Sequence, residues 1–162
     1  MRLVPRAARV FAGAILVVGP LAACSSTSPE AIDGPALQRY SCCSSGDLSA
    51  VRHPGETVEL HWLTTPLEPS ANYPVSTVRL SASMSGPFSS VSALKSSALK
   101  TPAFPASVTA PVVVTTDQVG EAPVSVLVIP TSARAGYYNL TTTIDQDGGQ
   151  LSAGAIIQVA PK

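Results

Sequence analysis

Three cysteines and two histidines are the residues of this 162-residue chain whose side chains could do chemistry. Thiols and imidazoles act as nucleophiles, as general bases and as metal ligands. Nucleophilic catalysis would need a base such as histidine beside a serine or a cysteine. His61 alternates outward with Glu59 along a predicted strand, so we expect a solvated histidine and predict no catalytic residue. An enzyme with a dispersed site, built from serine or cysteine with His61, stays an alternative.

A copper-binding or zinc-binding protein is a second alternative. The soft and borderline ligands of the sequence are Cys42, Cys43, His53, His61 and Met84. Adjacent cysteines cannot easily occupy two tetrahedral corners, and the sequence has no Cys-x-x-Cys spacing. Asp145 and Asp147 fall short of the six to eight oxygens that calcium takes. We therefore predict no metal site and no cofactor.

The two adjacent cysteines, Cys42 and Cys43, leave several states open. Consecutive Cα atoms lie about 3.8 Å apart across a trans peptide, which is below the roughly 4.4 to 6.8 Å of relaxed disulfides. A vicinal disulfide would therefore be a strained ring that is easily reduced. The alternatives are two thiols in a polar loop, one thiol buried as a small hydrophobic group, a bond to another protein, or a metal role.

The first 23 residues have the three zones of an export signal. Arg2, Arg6 and Arg9 form a basic region, an apolar run follows from Val10, and small residues precede the expected cut. A spanning helix needs about 20 apolar residues, whereas this run contains Gly19-Pro20 and ends before a polar serine-rich stretch. Residues 1–23 are therefore predicted to be a cleaved signal peptide.

The end of this leader, Leu21-Ala22-Ala23-Cys24, resembles the lipobox of bacterial lipoproteins at all four positions. The resemblance implies cleavage between Ala23 and Cys24, attachment of a diacylglyceryl group to the Cys24 thiol, and acylation of the new amine. Two acyl chains hold a protein stably on a membrane where one chain is marginal. We therefore expect a lipoprotein that is anchored in the cell membrane through its N-terminal lipid and exposed on the extracytoplasmic face.

Composition describes the chain that processing would leave, which has 162 − 23 = 139 residues and is one domain long. Loss of the three leader arginines leaves 10 − 3 = 7 basic residues against 10 acidic ones, a formal net charge of −3. Nucleic-acid binding needs clustered lysine and arginine, so we expect no nucleic-acid partner. Serine, threonine, alanine, valine and proline dominate, which favours short strands and turns.

Residues 24–46 are predicted to form the lipidated N-terminus and a flexible tether. The stretch from Ser25 to Ala36 is rich in turn formers and has few large apolar groups. A dozen such residues span roughly 20 Å as flexible coil. The folded domain is predicted over residues 47–162.

Alternation of apolar and polar residues predicts several strands within that domain. Residues 57–64 place Val58, Leu60 and Trp62 on one face, and residues 78–84 alternate in the same way. Residues 107–116 and 124–129 are apolar enough to face a core, and the second of these runs is predicted to be a central strand. Residues 85–105 are undecided between a short strand and one helical turn.

The C-terminal third carries the strongest fold signal. Residues 136–144 place Tyr138 on the inner face, residues 145–149 offer Asp-Gly hairpin chemistry, and residues 155–159 form a last strand. These features resemble the last strands of bacterial immunoglobulin-like domains. The resemblance implies an all-β, immunoglobulin-like antiparallel sandwich of about seven strands. It also implies a tyrosine corner at Tyr138, with Tyr137 as the alternative.

The expected function is binding without catalysis. No Gly-x-Ser-x-Gly elbow, phosphate loop or HExxH helix occurs in the sequence. Loops on rigid scaffolds carry function, so the expected binding surfaces are the loops Pro66–Pro74 and Gly86–Pro105. The expected partner, besides the membrane, is an envelope protein or another cell-surface partner.

Overall fold

Alternating apolar and polar residues build most of this chain into strands. The computed structural model describes residues 34–69, 73–100 and 107–162. These described residues belong to one compact unit. The predicted signal peptide, the cleavage site at Ala23 and Cys24, and the lipidation site at Cys24 lie outside the described residues.

Nine strands and two helices occur within the described residues. In chain order they are β1 Gln38–Ser41, α1 Ser45–Ser49, β2 Thr57–His61, β3 Leu63–Pro66, β4 Thr77–Phe88, α2 Val91–Lys100, β5 Val108–Thr109, β6 Val113–Thr116, β7 Val124–Val128, β8 Gly136–Gln146 and β9 Gly149–Val159. Every pairing between these strands is antiparallel.

One layer of the fold is a five-stranded sheet centred on β4. Along one edge β4 pairs with β8, which in turn pairs with β9. Along its other edge β4 pairs with β6 and, further along, with β5. The strand β9 is therefore the outer strand on one side of this sheet.

The other layer consists of two separate strand pairs, β2 with β7 and β1 with β3. The strands β2 and β3 are separated only by Trp62, so the chain changes partner at that residue. The Trp62 side chain is buried, and its Nε1–H donates to Ser125 Oγ over 2.9 Å. The single strand predicted over residues 57–64 thus supplies β2 to one strand pair and β3 to the other.

Two clusters of buried side chains fill the space between the layers. The larger cluster joins β2 and β7 to the five-stranded sheet and includes Leu60 and Met84. The smaller cluster joins β1 and the β2–β3 junction to the same sheet, and its buried members are Tyr40, Trp62, Val78 and Leu80. We call the region of the β2–β7 pair the closed end and the region of the β1–β3 pair the open end.

The inward residues that alternation predicts are buried on β2, β4 and β8. They are Val58, Leu60, Val78, Leu80, Ala82, Met84, Tyr138 and Leu140. On β2 the intervening Glu59 and His61 are exposed. A one-residue slip would turn every inward side chain outward, so this burial fixes the register of the strands.

The predicted Asp-Gly hairpin is confirmed between β8 and β9. Asp147 has a φ of 52° and Gly148 a φ of 76°, and Gln146 pairs with Gly149 across the turn. Positive φ at both central residues is the type I′ turn, whose twist matches that of the flanking strands. The turn therefore sets the register of the longest hairpin in the described chain.

The all-β, antiparallel sandwich predicted from the sequence is confirmed as the fold class. The described residues contain nine strands rather than about seven. Two predicted strands are each divided in two, residues 57–64 into β2 and β3 and residues 107–116 into β5 and β6. The strand β1 lies before the predicted start of the domain.

The predicted tether, residues 24–46, extends too far toward the C-terminus. Residues 38–41 form β1, which pairs with β3, and Leu37, Tyr40 and Cys43 are buried. The Tyr40 ring joins the smaller core cluster, which offsets the ordering of a mostly polar segment. The domain therefore begins about ten residues earlier than predicted, before β1.

The predicted central position of residues 124–129 is wrong. Within the described part of the chain, β7 pairs only with β2, and Val126 and Val128 are 41% and 57% exposed. Two of the four valines predicted to face the core at 107–116 also point outward, since Val112 and Val114 are 45% and 58% exposed. Of the undecided residues 85–105, the end of β4 and the helix α2 are described.

Candidate functional site

A cleft of about 630 Å³ opens beside the β1–β3 pair, where the chain between β3 and β4 meets the β8–β9 turn. Its walls carry apolar, aromatic and charged side chains, among them Leu37, Arg39, Leu67, Tyr73, Asp117 and Asp147. Ligand pockets typically have volumes of roughly 300 to 1,000 Å³ and combine an apolar lining with a few polar groups. This cleft is the candidate functional site.

Asp117 is the residue that holds the walls of the cleft together. Its side chain is buried, and Oδ1 accepts the Ser76 backbone N–H over 2.7 Å. Its Oδ2 accepts the Gln146 amide N–H over 2.8 Å, and its backbone carbonyl accepts the Gln38 N–H over 2.6 Å. One carboxylate and one carbonyl therefore tie β1, the start of β4 and the end of β8 to each other.

Gln38 and Tyr40 extend this polar network beneath the cleft. The Gln38 Nε2 donates to the Tyr40 hydroxyl and to the Glu121 carbonyl, both over 2.9 Å. The Tyr40 hydroxyl donates to the Thr116 carbonyl and lies 3.4 Å from Thr115 Oγ1. Satisfied buried networks rigidify their surroundings, so this end of the sandwich is held by hydrogen bonds as well as by apolar packing.

A second groove of about 310 Å³ continues from the cleft along the β8–β9 hairpin. It shares Arg39 and Gln146 with the first cleft, and its apolar lining includes Ile144 and Leu151. Leu151 is 65% exposed, as is Tyr73 of the main cleft at 66%. The cleft and the groove thus share Arg39, and each has one largely exposed apolar side chain in its lining.

The arrangement can bind an amphipathic ligand. Leu37, Leu67 and Tyr73 offer apolar contact, while Arg39 offers fixed hydrogen-bond donors. Neither histidine lines the cleft or the groove, so no imidazole base faces a ligand there. The polar groups that line the cleft can recognise a ligand through contact and hydrogen bonding.

His61, the general base in the alternative enzyme hypothesis, forms an exposed hydrogen-bonded pair with Asp47. The Asp47 carboxylate accepts the His61 backbone N–H over 2.7 Å and lies 3.2 Å from the imidazole Nδ1. Asp47 belongs to α1 and His61 ends β2, so the pair fastens the short helix to the sandwich. The side-chain hydrogen bonds found among the described residues bring no serine or cysteine to the ring.

The candidate metal ligands are not brought together. His53 Nδ1 lies 3.0 Å from the Pro161 carbonyl oxygen, and Met84 is fully buried in the larger cluster. Cys42 and Cys43 are bonded to each other. Among residues 34–69, 73–100 and 107–162, no three His, Cys, Asp or Glu side chains are placed to hold a metal ion.

Cys42 and Cys43 form a vicinal disulfide across a cis peptide bond. Cys43 is buried in the larger cluster, and Cys42 packs against both clusters. The pair follows β1 directly, and the next residue, Ser44, donates its backbone N–H to the His61 carbonyl over 3.2 Å. The disulfide therefore lies where the open end and the closed end meet.

Tyr138 occupies the position predicted for a tyrosine corner. Its ring is buried in the larger cluster, and its hydroxyl donates to the Arg134 carbonyl, four residues upstream, over 2.8 Å. Burial raises the pKa of the Tyr138 hydroxyl. The ring also leaves no room at Gly86, where a Cβ would lie 2.7 Å from Tyr138 Cδ1. Tyr137, the alternative, is only partly buried.

The two loops predicted as binding surfaces have different positions. The described residues of Pro66–Pro74 include Leu67, Tyr73 and Pro74, which line the cleft. The described part of Gly86–Pro105 contains α2, whose Leu94 is buried and whose Leu99 is 90% exposed. Neither groove is lined by residues of that second loop.

Sequence reasoning missed the polar residues that shape the cleft, namely Gln38, Arg39, Asp117 and Gln146. Asp117 follows a threonine-rich strand in a stretch that reads as an ordinary polar turn. The other three are separated from it by dozens of residues in the chain. The only available signal was the polar but alternating segment around Tyr40, which is too short to distinguish a strand from a loop.

No helix in the described part of the chain is both long enough and apolar enough to span a bilayer.

Comparison with known proteins assigns no family to this chain. No family model matches the sequence, and no curated protein matches it. A similar solved structure is a DUF4466 family protein from Parabacteroides merdae, with 12% identity and a TM-score of 0.36; the match covers 78% of this chain and 46% of that one. Another is the cohesin module of a family 33 glycoside hydrolase from Clostridium perfringens, with 10% identity and a TM-score of 0.32, covering 80% and 99%. Both similarities are too weak to show a shared family.

Proposed function

We propose that this chain is an extracytoplasmic lipoprotein of the cell membrane whose immunoglobulin-like sandwich binds a ligand, without catalysis, in the cleft beside β1. The cleft is the observation that carries the binding part of the proposal. It combines ligand-sized volume, apolar walls and buried polar support, which are the usual properties of binding sites.

The anchoring part of the proposal is supported by the leader sequence. The lipobox-like Leu21-Ala22-Ala23-Cys24 follows an apolar run that is headed by arginines. Leu37 lines the cleft only 37 − 24 = 13 residues after Cys24. Because extended chain spans at most about 3.5 Å per residue, the cleft would lie within roughly 45 Å of the membrane. A ligand within the envelope, on a protein or at the cell surface, is accessible at that distance.

The immunoglobulin-like part of the proposal is supported by the hydroxyl bond of Tyr138 to Arg134 and by the terminal β8–β9 hairpin. Sandwiches of this kind present loops at their ends on a rigid frame. The cleft lies among such connections, between β3 and β4 and at the β8–β9 turn.

A site-specific photocrosslinker tests the binding part of the proposal. The photoreactive residue replaces Tyr73, which is exposed and lines the cleft, or Glu59, which is exposed on β2 at the closed end. Irradiation of cells producing the full chain should capture a distinct partner from position 73 and not from position 59. Arg39→Ala should reduce that capture. Equal capture at both positions, or none at position 73, would count against the cleft.

Lipid labelling tests the anchoring part of the proposal, and a reactivity probe tests the absence of catalysis. The native chain should incorporate labelled acyl chains and enter the detergent phase, while Cys24→Ala should remain an unlabelled precursor. Normal processing of that variant would refute the lipobox. A fluorophosphonate that labels one serine of the native protein far faster than all others would overturn the non-catalytic reading.

A further inference from the structure

We propose that the free edge of β9 pairs with β9 of a second copy of this chain, so that the two five-stranded sheets form one continuous antiparallel sheet. The surface concerned is the edge of the strand from Gln150 to Ile156. This surface excludes the cleft walls formed by the loop that contains Tyr73, and it meets the second groove at Gln150 and Leu151.

The hairpin determines which backbone groups of β9 point away from β8. Gln146 and Gly149 close the two-residue turn as a hydrogen-bonded pair. Hydrogen-bonded residue pairs and non-hydrogen-bonded residue pairs alternate along an antiparallel ladder. The even-numbered residues of β9 therefore direct their N–H and C=O groups outward. Arg52 shows this directly, since its N–H donates to the Gln158 carbonyl and its carbonyl accepts the Ala160 N–H.

Arg52 covers only the C-terminal end of this edge. Within the described residues, no other strand pairs with the outer side of β9. Residues 149–154 are exposed, and Leu151 is 65% exposed. The outward groups of Gln150, Ser152, Gly154 and Ile156 thus form an accessible template for one more strand.

This edge lacks the features that usually prevent such pairing. Proteins protect edge strands with lysine, proline, bulges or very short length. From Gly149 to Ala160 the sequence has no charged residue and no proline. The pairing with β8 runs from Gly136↔Val159 to Gln146↔Gly149 without a register shift. An uncharged, regular edge of this length is expected to accept a partner strand.

We take a second copy of the chain as the partner because the open segment can pair with itself without leaving an outward backbone group unmatched. Its centre is Ala153, and a two-fold axis there pairs Gln150 with Ile156 and Ser152 with Gly154 of the second copy. Every outward group between these ends then meets an outward group of the other copy. The absence of charge removes the like-charge repulsion that normally opposes pairing of a strand with itself.

The boundaries of the segment agree with this register. The hairpin turn at Asp147-Gly148 of one copy reaches the position where Arg52 already occupies the edge of the other copy. The paired segment therefore ends at the hairpin turn of one copy and at Arg52 of the other copy.

The expected dimer is weak in dilute solution. A strand pair of this length buries much less than the roughly 800 Å² per partner of a standard interface. Confinement of both copies to one membrane would raise their effective concentration, and this step alone rests on the proposed lipid anchor. The native envelope is therefore the setting in which pairing should be observed.

Cysteine crosslinking of the full chain tests the pairing. Ala153 would face its own counterpart as a non-hydrogen-bonded pair with Cα atoms about 4.5 Å apart, which is within disulfide range. Ala153→Cys should therefore give a disulfide-linked dimer on mild oxidation. Leu151→Cys is the matched control, because the two Leu151 residues would lie four positions apart along the strands, roughly 14 Å. It should give several-fold less dimer.

Variants of the edge complete the test in the Ala153→Cys background. Ser152→Pro removes one outward N–H, which an edge strand tolerates, and should reduce the dimer several-fold. Thr143→Ala is its control, since it removes the same Thr143–Ser152 hydroxyl contact of 2.9 Å and keeps the edge N–H. If Ser152→Pro lowers the unfolding midpoint, Ser152→Lys serves instead, because it places like charges beside each other.

The absence of an Ala153→Cys dimer in the anchored protein would overturn the pairing, and so would three further results. They are equal crosslinking of Leu151→Cys, a dimer that persists after both Ser152 substitutions, and capture of a different protein by Ala153→Cys. Detergent partition of the same samples reports the lipid anchor separately. A protein that partitions into detergent but does not crosslink refutes the pairing alone. A protein that does not partition refutes the anchor, and the pairing is then decided by oxidation of purified Ala153→Cys protein at high concentration, where the absence of a dimer refutes it.

Discussion

The closed end and the open end of the sandwich cover the same five-stranded sheet in different ways. At the closed end, β2 and β7 contribute to a cluster of twelve buried residues, almost all of them apolar. At the open end, the cluster has four buried members, and Gln38, Thr115 and Asp117 are buried beside it. Apolar packing stabilises the first region, whereas a hydrogen-bonded network shapes the second and leaves a cleft. The comparison shows that apolar packing and the polar network are concentrated at different ends of one sandwich. The proposed binding cleft lies at the second of these ends.

The largest effect is expected at the closed end. Leu60→Ala removes a fully buried side chain of the larger cluster. Such truncations lower the free energy of unfolding by about 2–5 kcal/mol. Val128→Ala on the facing strand β7 is the control, because Val128 is 57% exposed, and it should change stability by less than about 0.5 kcal/mol. Denaturant titration measures the free energy of unfolding of both variants. Similar decreases for the two variants would contradict the assignment of Leu60 to the core and Val128 to the surface.

A smaller loss is expected when the network of the open end is broken. Asp117→Ala leaves the Ser76 N–H and the Gln146 amide without their acceptor. Unsatisfied buried donors cost about 1–3 kcal/mol, and the loss here should fall toward the lower end of that range because water can reach both donors from the cleft. The same variant should reduce photocapture from Tyr73, whereas Leu60→Ala should leave capture by the remaining folded protein unchanged. A loss of stability without any loss of capture would mean that the network supports the fold and not the cleft.

The surface control for this substitution is Glu59→Ala, whose carboxylate is exposed on β2. It changes charge by the same amount as Asp117→Ala but removes no buried acceptor. Its stability should stay within about 0.5 kcal/mol of the native protein. Asp117→Asn should recover part of the loss, because the amide oxygen can still accept the Ser76 N–H.

The closed end was easier to predict than the open end for a physical reason. Burial on one face of a strand leaves a period of two in the sequence, and β2, β4 and β8 carry that period clearly. The Asp147-Gly148 turn has equally local requirements. These signals were sufficient for the fold class and for most of the larger cluster.

The cleft depends on contacts between residues that are distant in the chain. Asp117 and Gln146 are ordinary polar residues, and only the pairing of β8 and β6 with β4 brings their side chains within 2.8 Å. The strand β1 is short and polar, and its place depends on β3 and on the Asp117 carbonyl. Local patterns carry no information about contacts between distant residues. The sequence therefore predicts a tether over residues that form β1 in the structure.

Each end of the sandwich contains one buried tyrosine, and loss of either hydroxyl should lower the unfolding free energy by an intermediate amount. Tyr138→Phe removes one hydrogen bond, to the Arg134 carbonyl, and should lower the unfolding free energy by about 1 kcal/mol. Tyr40→Phe removes the bond to Thr116 and also leaves a Gln38 donor without the hydroxyl, so its loss should be larger. Equal unfolding midpoints for the two variants would show that the Tyr40 network stabilises the fold no more than the single Tyr138 hydrogen bond does.

The smallest predicted effect is electrostatic and concerns Glu56, in the turn before β2. Partial burial acts to raise the pKa of Glu56, but hydrogen bonds from Arg52 and from the His53 N–H outweigh it and hold that pKa below its usual range. A lowered pKa in the folded state stabilises the fold above the ordinary carboxyl pKa. That contribution is lost as the pH falls through the folded-state value.

Glu56→Gln should therefore be less stable than the native protein at neutral pH, by less than about 1 kcal/mol because the ion pair with Arg52 is partly exposed. The difference should shrink as the pH is lowered below the usual carboxyl range. Urea titrations of both proteins at neutral and acidic pH measure it, and taking the difference removes the other carboxylates. Plots of unfolding free energy against pH that coincide for the two proteins would show that this ion pair adds nothing to the stability of the closed end.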